Sequence, residues 1–390
     1  MKILFTFLCA FTFGWSFSQE SRSTRKAYIA DTHNDILTEA VNKNLAIDTD
    51  LRGKTKTDLK RLKEGNVKLQ IFSIWCDGTY GPGRGFKRAN REIDTLHAVI
   101  ERNPSIIEMV GNIEQLNDAQ KTGKIAAMIG VEGGHMIEDK LENIDSFYKR
   151  GVRYMTLTWN NSTSWATSAM DETNDSLHQK KGLNDFGKQV VQRMNALGMM
   201  VDLSHVGEQT FWDAINTTTK PVIVSHSSAF ALCPVFRNLK DDQIKAVAKN
   251  GGVIDVNFYS GFTDSNYQKR VDSFTIKHKL EREILLKVNP DPTIADQYLE
   301  HQYADEIKAL RPPLSLLIDH IEYLIKLAGI DHVGIGSDFD GISSAPQGLE
   351  DVTSYPLVIN ALKERGHNNK DINKIMHDNF IRVFKANEAK

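Results

Sequence analysis

Cysteine is scarce in this sequence of 390 residues, with three in all, Cys9, Cys76 and Cys233. Any metal site is therefore left to nitrogen and oxygen ligands. Cys9 falls in the apolar N-terminal run and lacks the small residues that precede a lipidated cysteine. Cys76 and Cys233 remain, to form one disulfide or to stay as two buried thiols; their spacing allows both. An excess of one charge is missing too: 48 Lys and Arg stand against 50 Asp and Glu, for a formal net charge of -2. This gives no basic field for a nucleic-acid partner. Internal repeats, low-complexity tracts and linkers are absent, so nothing cuts the chain into separate domains. With 41% hydrophobic and 25% charged residues, the composition is that of an ordinary soluble globular protein.

The N-terminus carries a segment of another kind. Lys2 gives a positive start, Ile3 to Phe13 is almost wholly apolar, and Ser16-Phe17-Ser18 places small residues at -3 and -1 of a cut before Gln19. This is the layout of a secretory signal peptide over residues 1–18, too short to span a bilayer comfortably. A polar lead, 19–27, is expected to be disordered after cleavage, and the mature chain is expected to be periplasmic or secreted with no integral membrane span.

From Tyr28 onward, eight short segments are rich in aliphatic and β-branched residues: 28–33, 67–75, 125–132, 154–159, 199–204, 222–226, 252–257 and 332–338. Most are continuous apolar runs, as parallel strands buried on both faces require. Between them, Lys181 to Leu197, Glu208 to Ile215, Asp241 to Lys249 and Leu314 to Leu327 carry apolar residues at helical spacing. Strands alternating with helices point to an α/β protein, a (β/α)8 TIM-type barrel over residues 28–390. A charged helical insertion, about 263–310, lies between the seventh and eighth strands; capping the site, joining subunits and lying solvated on the surface are all open to it.

Potential ligands fall where such a barrel places its active site, at the C-terminal strand ends. His33 ends the first segment and Asp35 follows it two residues on, Glu132 closes the third, His205 follows the fifth, His226 ends the sixth and Asp338 ends the eighth. A carboxylate can bridge two cations with its two oxygens. His33, Asp35 and Glu132 thus form one ligand set and Glu132, His205 and His226 another, of a kind that suits zinc, with manganese or cobalt as substitutes. Two such cations can share a water and lower its pKa, which makes the expected chemistry hydrolytic. Asp338, in VGIGSDFDG, is positioned to move a proton from that water to a leaving amine, with Asp340 as the second choice.

The motifs DTHND, GVEGGH, DLSH, VSHSS, RNL at Arg237, GGVIDVNFY and GIGSDFDG resemble, in this order, the membrane (renal) dipeptidase family, metallopeptidases of the amidohydrolase superfamily. The resemblance runs from about Ala30 to the C-terminus. It implies a barrel with two Zn2+ ions that hydrolyses dipeptides, including those with a C-terminal D-residue, and a homodimer. His33 and Asp35 match the ligands of one zinc, His205 and His226 those of the other, and Glu132 the bridge. Arg237 matches the guanidinium that pairs with the substrate carboxylate, and Asp338 the proton shuttle. One motif departs: where well-known members read TLTH, with a histidine near the scissile carbonyl, this chain reads TLTWNNS. Trp159 has no basic nitrogen to replace that imidazole, and Asn160 or Asn161 is left to donate a hydrogen bond to the substrate. His135 is read as an orienting or a packed histidine. The expectation is an active dipeptidase with its own substrate preference; a related amidohydrolase acting on another amide or ester, or a non-catalytic binding protein on the same scaffold, are the alternatives.

Overall fold

The computed structural model describes residues 28–174 and 180–389. The expected signal peptide and polar lead lie outside the described residues. Among the described residues there are nine strands: β1 (Ile29–Asp31), β2 (Val67–Trp75), β3 (Ile107–Met109), β4 (Ile125–Glu132), β5 (Val152–Thr156), β6 (Met200–Asp202), β7 (Ile223–Val224), β8 (Val253–Val256) and β9 (Val333–Ile335). Eight of them pair side by side, all parallel, in the order β1-β2-β4-β5-β6-β7-β8-β9. The ends meet as well: Thr32 N–H donates to Ile335 O at 3.2 Å, and Asn34 bridges Phe339 in parallel. The result is the expected (β/α)8 barrel, nearly closed.

The strands are long apolar runs because both their faces are covered. All eight residues of β4 are buried. On the inward faces, Ala30, Leu69, Met128, Met200, Ile223 and Val253 form one cluster with Phe380, Val383 and Phe384 of the last helix, which plugs the N-terminal end of the barrel. The outward faces join the surrounding helices in a second, larger core. Higher in the barrel the inward residues turn polar, with Thr156, Asp202, Ser225 and Asp255 all fully buried beneath the C-terminal mouth. Among the described residues, no helix is long and apolar enough to cross a membrane.

Several details differ from the pattern of the sequence. The short β3 pairs only with the start of β4, Ile125 to Ala127, and is not a barrel stave; its three residues are too few to show a period. The helix expected from Lys181 starts at Asp185, because the Asn184 side chain caps it by accepting from Gly187 N–H at 3.0 Å. In the insertion, the stretch after Asn266 forms two helices, Tyr267–Lys277 and Lys279–Val288, divided at His278. The His278 ring packs 4.4 Å from Phe274 and 3.9 Å from Tyr303, which anchors the break. Cys76 and Cys233 are both free and buried. Burial pushes the thiol of Cys76 up to about 12 and that of Cys233 up to about 11, so neither is reactive near neutral pH.

Candidate metal centre

His33, Glu132, His205 and His226 come from four different staves and meet at the C-terminal mouth of the barrel. Glu132 stands between the rest. Its Oε1 lies 2.7 Å from His205 Nε2 and 3.3 Å from His226 Nε2, while its Oε2 lies 3.6 Å from His33 Nε2. Asp35 Oδ2 is 3.4 Å from the same His33 nitrogen. One carboxylate oxygen thus faces the later histidines and the other faces the HxD pair.

The Nδ1 atom of each ring is tied down on its far side. Tyr154 spends its hydroxyl proton on Thr32 O at 3.1 Å, so His33 Nδ1–H donates to the Tyr154 oxygen at 2.7 Å. Ser225 Oγ donates to Asp202 Oδ2 at 2.6 Å and accepts from His226 Nδ1–H at 2.8 Å. His205 Nδ1–H donates to Asn160 Oδ1 at 3.0 Å. All three imidazoles therefore turn Nε2 toward Glu132, the arrangement in which a neighbouring acceptor fixes the ring that binds a metal.

This packing is unfavourable without cations. His205 Nε2 and His226 Nε2 are 3.1 Å apart, and His33 Nε2 and Asp35 Oδ1 are buried with no hydrogen-bond partner. Burial lowers His205 to about 4 and His226 well below the ordinary histidine range, so both rings are neutral, as ligation demands. Burial works against charge on Glu132 as well, but the neighbouring His33, His205 and His226 hold its carboxyl well below the usual range. Two groups, His33 with Glu132 and His226, and His33 with Asp35 and Asp338, each bring their ligand atoms within 4.8 Å of one another. The donor set and its unsatisfied atoms fit metal ions.

Above the cluster opens a cavity of about 490 Å3, lined by Asp35, Glu132, Trp159, Asn160, His205, Arg237, Asp338 and Asp340 among others. Of the residues singled out in the sequence for metal or substrate, all but Asn161 are in this cavity or, for His33 and His226, in contact with Glu132 beneath it. Asp338 Oδ2 accepts from Asn257 Nδ2 at 2.8 Å. Burial, followed by the Asp35 and Glu132 carboxylates, pushes Asp338 well above the usual carboxyl range, against His33 and Asn257. Asp340, the second choice, is committed elsewhere: its Oδ1 accepts from Lys56 N–H at 2.6 Å, and it holds the loop before Asp58 in place. Its carboxyl is pushed up to about 6 by burial. His205, Asp338 and Asp340 all have left-handed backbones, with φ of 63, 61 and 69 degrees. That strain, about 1–3 kcal/mol per residue, is typical of functional positions. A Cβ on Gly341 would lie 2.2 Å from Asp35 Oδ2 and 2.4 Å from Asp338 Oδ1, so only glycine lets these carboxylates come together.

Arg237 is buried with only 4% of its surface exposed and, among the described residues, has no carboxylate partner. Its Nη1 donates to Ser227 Oγ and its Nη2 to His226 O, both at 3.0 Å, and its Nε has no acceptor. Burial lowers it to about 10. A guanidinium held this way awaits an anion.

Three sequence expectations need adjusting. Asn160 lines the cavity, but its carbonyl oxygen is occupied in orienting His205. Asn161 is turned away, its carboxamide wedged where a Cβ of Gly78 would stand, 2.3 Å from Cγ. His135 holds a loop: its Nε2–H donates to Cys76 O at 3.0 Å. The sequence reading missed Tyr154, Asp202 with Ser225, and Asn257, which position His33, His226 and Asp338. Their one signal was a polar side chain inside an otherwise apolar strand, as in YMTLT and VIDVN.

Comparison with known proteins agrees with this geometry. A family model described as membrane dipeptidase, peptidase family M19, matches residues 18–390. Dipeptidase 3 of Mus musculus is 33% identical over 364 residues, which cover 92% of this chain and 64% of that protein, so the chain spans a little under two thirds of its relative's length. Among solved structures, the metallopeptidase dipeptidase AC of family M19 superposes with a TM-score of 0.76 at 21% identity, over 93% of this chain and 99% of that one. The probable dipeptidase PvdM from Pseudomonas aeruginosa gives 0.75 at 23% identity, over 93% and 95%. A metallopeptidase from Rhodobacter sphaeroides, bound to a phosphinate mimic of the dipeptide L-Ala-D-Ala, gives 0.74 at 21%, over 93% and 99%. At these identities the superpositions speak for the fold.

Proposed function

Since the chain belongs to the membrane dipeptidase family, peptidase family M19, we propose that it is a dizinc metallopeptidase that hydrolyses dipeptides, those with a C-terminal D-residue included. The observation that carries the reading is Glu132, whose Oε1 faces His205 and His226 while its Oε2 faces His33. His33, Asp35 and Glu132 would hold one zinc and Glu132, His205 and His226 the other; the ions supply Lewis acidity toward the peptide carbonyl and an attacking water.

The chain's own residues do the remaining work. Arg237 receives the substrate carboxylate with the donors it does not spend on Ser227 and His226, and so fixes which end of the dipeptide enters first. Asn257 orients Asp338 through Oδ2 and leaves Oδ1 to take a proton from the attacking water and pass it to the leaving amine nitrogen. The Rhodobacter sphaeroides metallopeptidase, with its L-Ala-D-Ala mimic, supports the extension to D-residues.

The proposal includes export by the N-terminal signal sequence and assembly as a homodimer. In the insertion, Ile276, Leu280 and Val288 are exposed apolar side chains for a second copy to cover. The test is a panel of LL and LD dipeptides with and without chelator, alongside metal analysis. Turnover abolished by chelation and restored by zinc is expected. Bound metal with no turnover of any dipeptide would leave a non-catalytic binding protein on this scaffold.

A further inference from the structure

The two indoles in the wall of the cavity carry a statement about substrate that the metal ligands do not. Trp75 is the last residue of β2, and Trp159 lies three residues beyond the end of β5. Both line the cavity, and their rings meet edge to face with centroids 4.9 Å apart at 68 degrees. Trp159 is 6.4 Å from the His205 ring, so this aromatic wall borders the ligand cluster directly.

The wall is fixed in place. The main-chain N–H of Trp75 donates to Glu92 Oε2 at 2.9 Å, and Glu92 is itself held by Arg88 at 2.7 Å, which fixes the backbone that carries the indole. Trp159 packs over Gly133, where an added Cβ would stand 3.3 Å from the Trp159 Cβ. A rigid aromatic surface gains contact with an apolar group at little cost in side-chain entropy.

Strand order gives the direction. Trp75 and Trp159 come from β2 and β5, the two neighbours of β4. Arg237 follows β7, and its guanidinium lies 5.3 Å from the ring of Phe262, which follows β8. In the order β1-β2-β4-β5-β6-β7-β8-β9, these two groups stand on opposite sides of the mouth, and Glu132 reaches inward from the indoles' side to His205 and His226. A dipeptide that gives its carboxylate to Arg237 and lays its peptide bond over that cluster brings its N-terminal residue against the indoles.

We infer that the Trp75–Trp159 pair is a specificity wall for the N-terminal side chain, and that the preferred substrates are dipeptides beginning with an aromatic or large aliphatic residue. The inference rests on the dipeptidase reading and on Arg237 as the carboxylate receiver. The competing use of an indole, as a face for the substrate's α-ammonium, predicts a different pattern, because glycine carries that ammonium as well as phenylalanine does.

The experiment compares kcat/KM for Gly-Ala, Leu-Ala and Phe-Ala on the zinc-loaded full chain, then on Trp75→Ala, Trp159→Ala and the conservative Trp75→Phe. An apolar wall is expected to favour Phe-Ala over Gly-Ala by about tenfold or more in the native protein. Each alanine variant should bring that ratio below about threefold, and Trp75→Phe should keep most of it. A native ratio near one, or equal losses for both dipeptides in the variants, would overturn the inference. Should no dipeptide be cleaved, the dipeptidase reading fails, yet calorimetric titration of the same protein with Gly-Ala and Phe-Ala still decides. Tighter binding of Phe-Ala supports the wall; equal or undetectable binding refutes it.

Discussion

Removing the guanidinium of Arg237 tests whether the cavity is built for a free carboxylate. In Arg237→Met the stem is kept and the charge is lost. Burial lowers this group from 12.5 to about 10, so holding the cation in the free protein costs about 3 kcal/mol at 1.36 kcal/mol per unit. The substitution relieves that cost. It also gives up the hydrogen bonds to Ser227 Oγ and His226 O, each worth about 1.5 kcal/mol or more to a charged donor. The two effects nearly cancel, and Tm is expected to move by no more than a few degrees. Catalysis has no such compensation: losing one partner of a desolvated charge pair costs about 2–5 kcal/mol, from roughly 30-fold to several thousand-fold in kcat/KM. The assay uses a dipeptide and its C-terminal amide. The native protein should strongly prefer the free acid, and Arg237→Met should treat both alike. If the variant kept the native preference for the free acid, or lost activity equally on both substrates, Arg237 would not be the carboxylate receiver. A large drop in Tm would refute the energetic argument.

Two further predictions concern groups that act at a distance. Glu92 is fully enclosed and its carboxyl is pushed from 4.5 up to about 7, chiefly by burial, with Arg88 opposing. A raised carboxyl stabilises the fold most below its unfolded value, and that contribution is lost as pH rises from about 4.5 through 7, up to about 3 kcal/mol for a shift of this size. The stability of the native protein relative to Glu92→Gln should therefore decline over this window in denaturant titrations; a constant difference from pH 4.5 to 8 would contradict it. Tyr154→Phe removes the oxygen that accepts from His33 Nδ1–H. A loss of about 10- to 100-fold in affinity for one metal ion, with the other retained, is expected in competition titrations; unchanged affinity at both sites would leave Tyr154 a packing residue only.

What could be read from the sequence was governed by repetition. Five candidate ligands at strand ends were legible because each comes at or just after the end of an apolar run, and a parallel barrel sends every such run to the same mouth. The groups that orient them were not, because Tyr154 and Asp202 are ordinary members of strands until their partners on neighbouring staves are known. The choice between Asp338 and Asp340 was equally hidden. Both have left-handed backbones, and only the approach of the loop bearing Lys56 shows Asp340 to be committed to a main-chain amide. The break at His278 depends on Tyr303, which is distant in sequence. Asn161 was misplaced for a related reason: the residues after β5 leave the strand, so alternation no longer tells which side chain enters the cavity.

The most direct test of the account is the zinc content of the purified chain after equilibrium dialysis, measured beside His33→Ala and Glu132→Ala. A carboxylate shared between two sites predicts about two ions per native chain. His33→Ala should lose one of them, and Glu132→Ala should weaken both together. A single ion in the native chain, or a Glu132→Ala protein that still holds two, would contradict the shared carboxylate on which the rest depends.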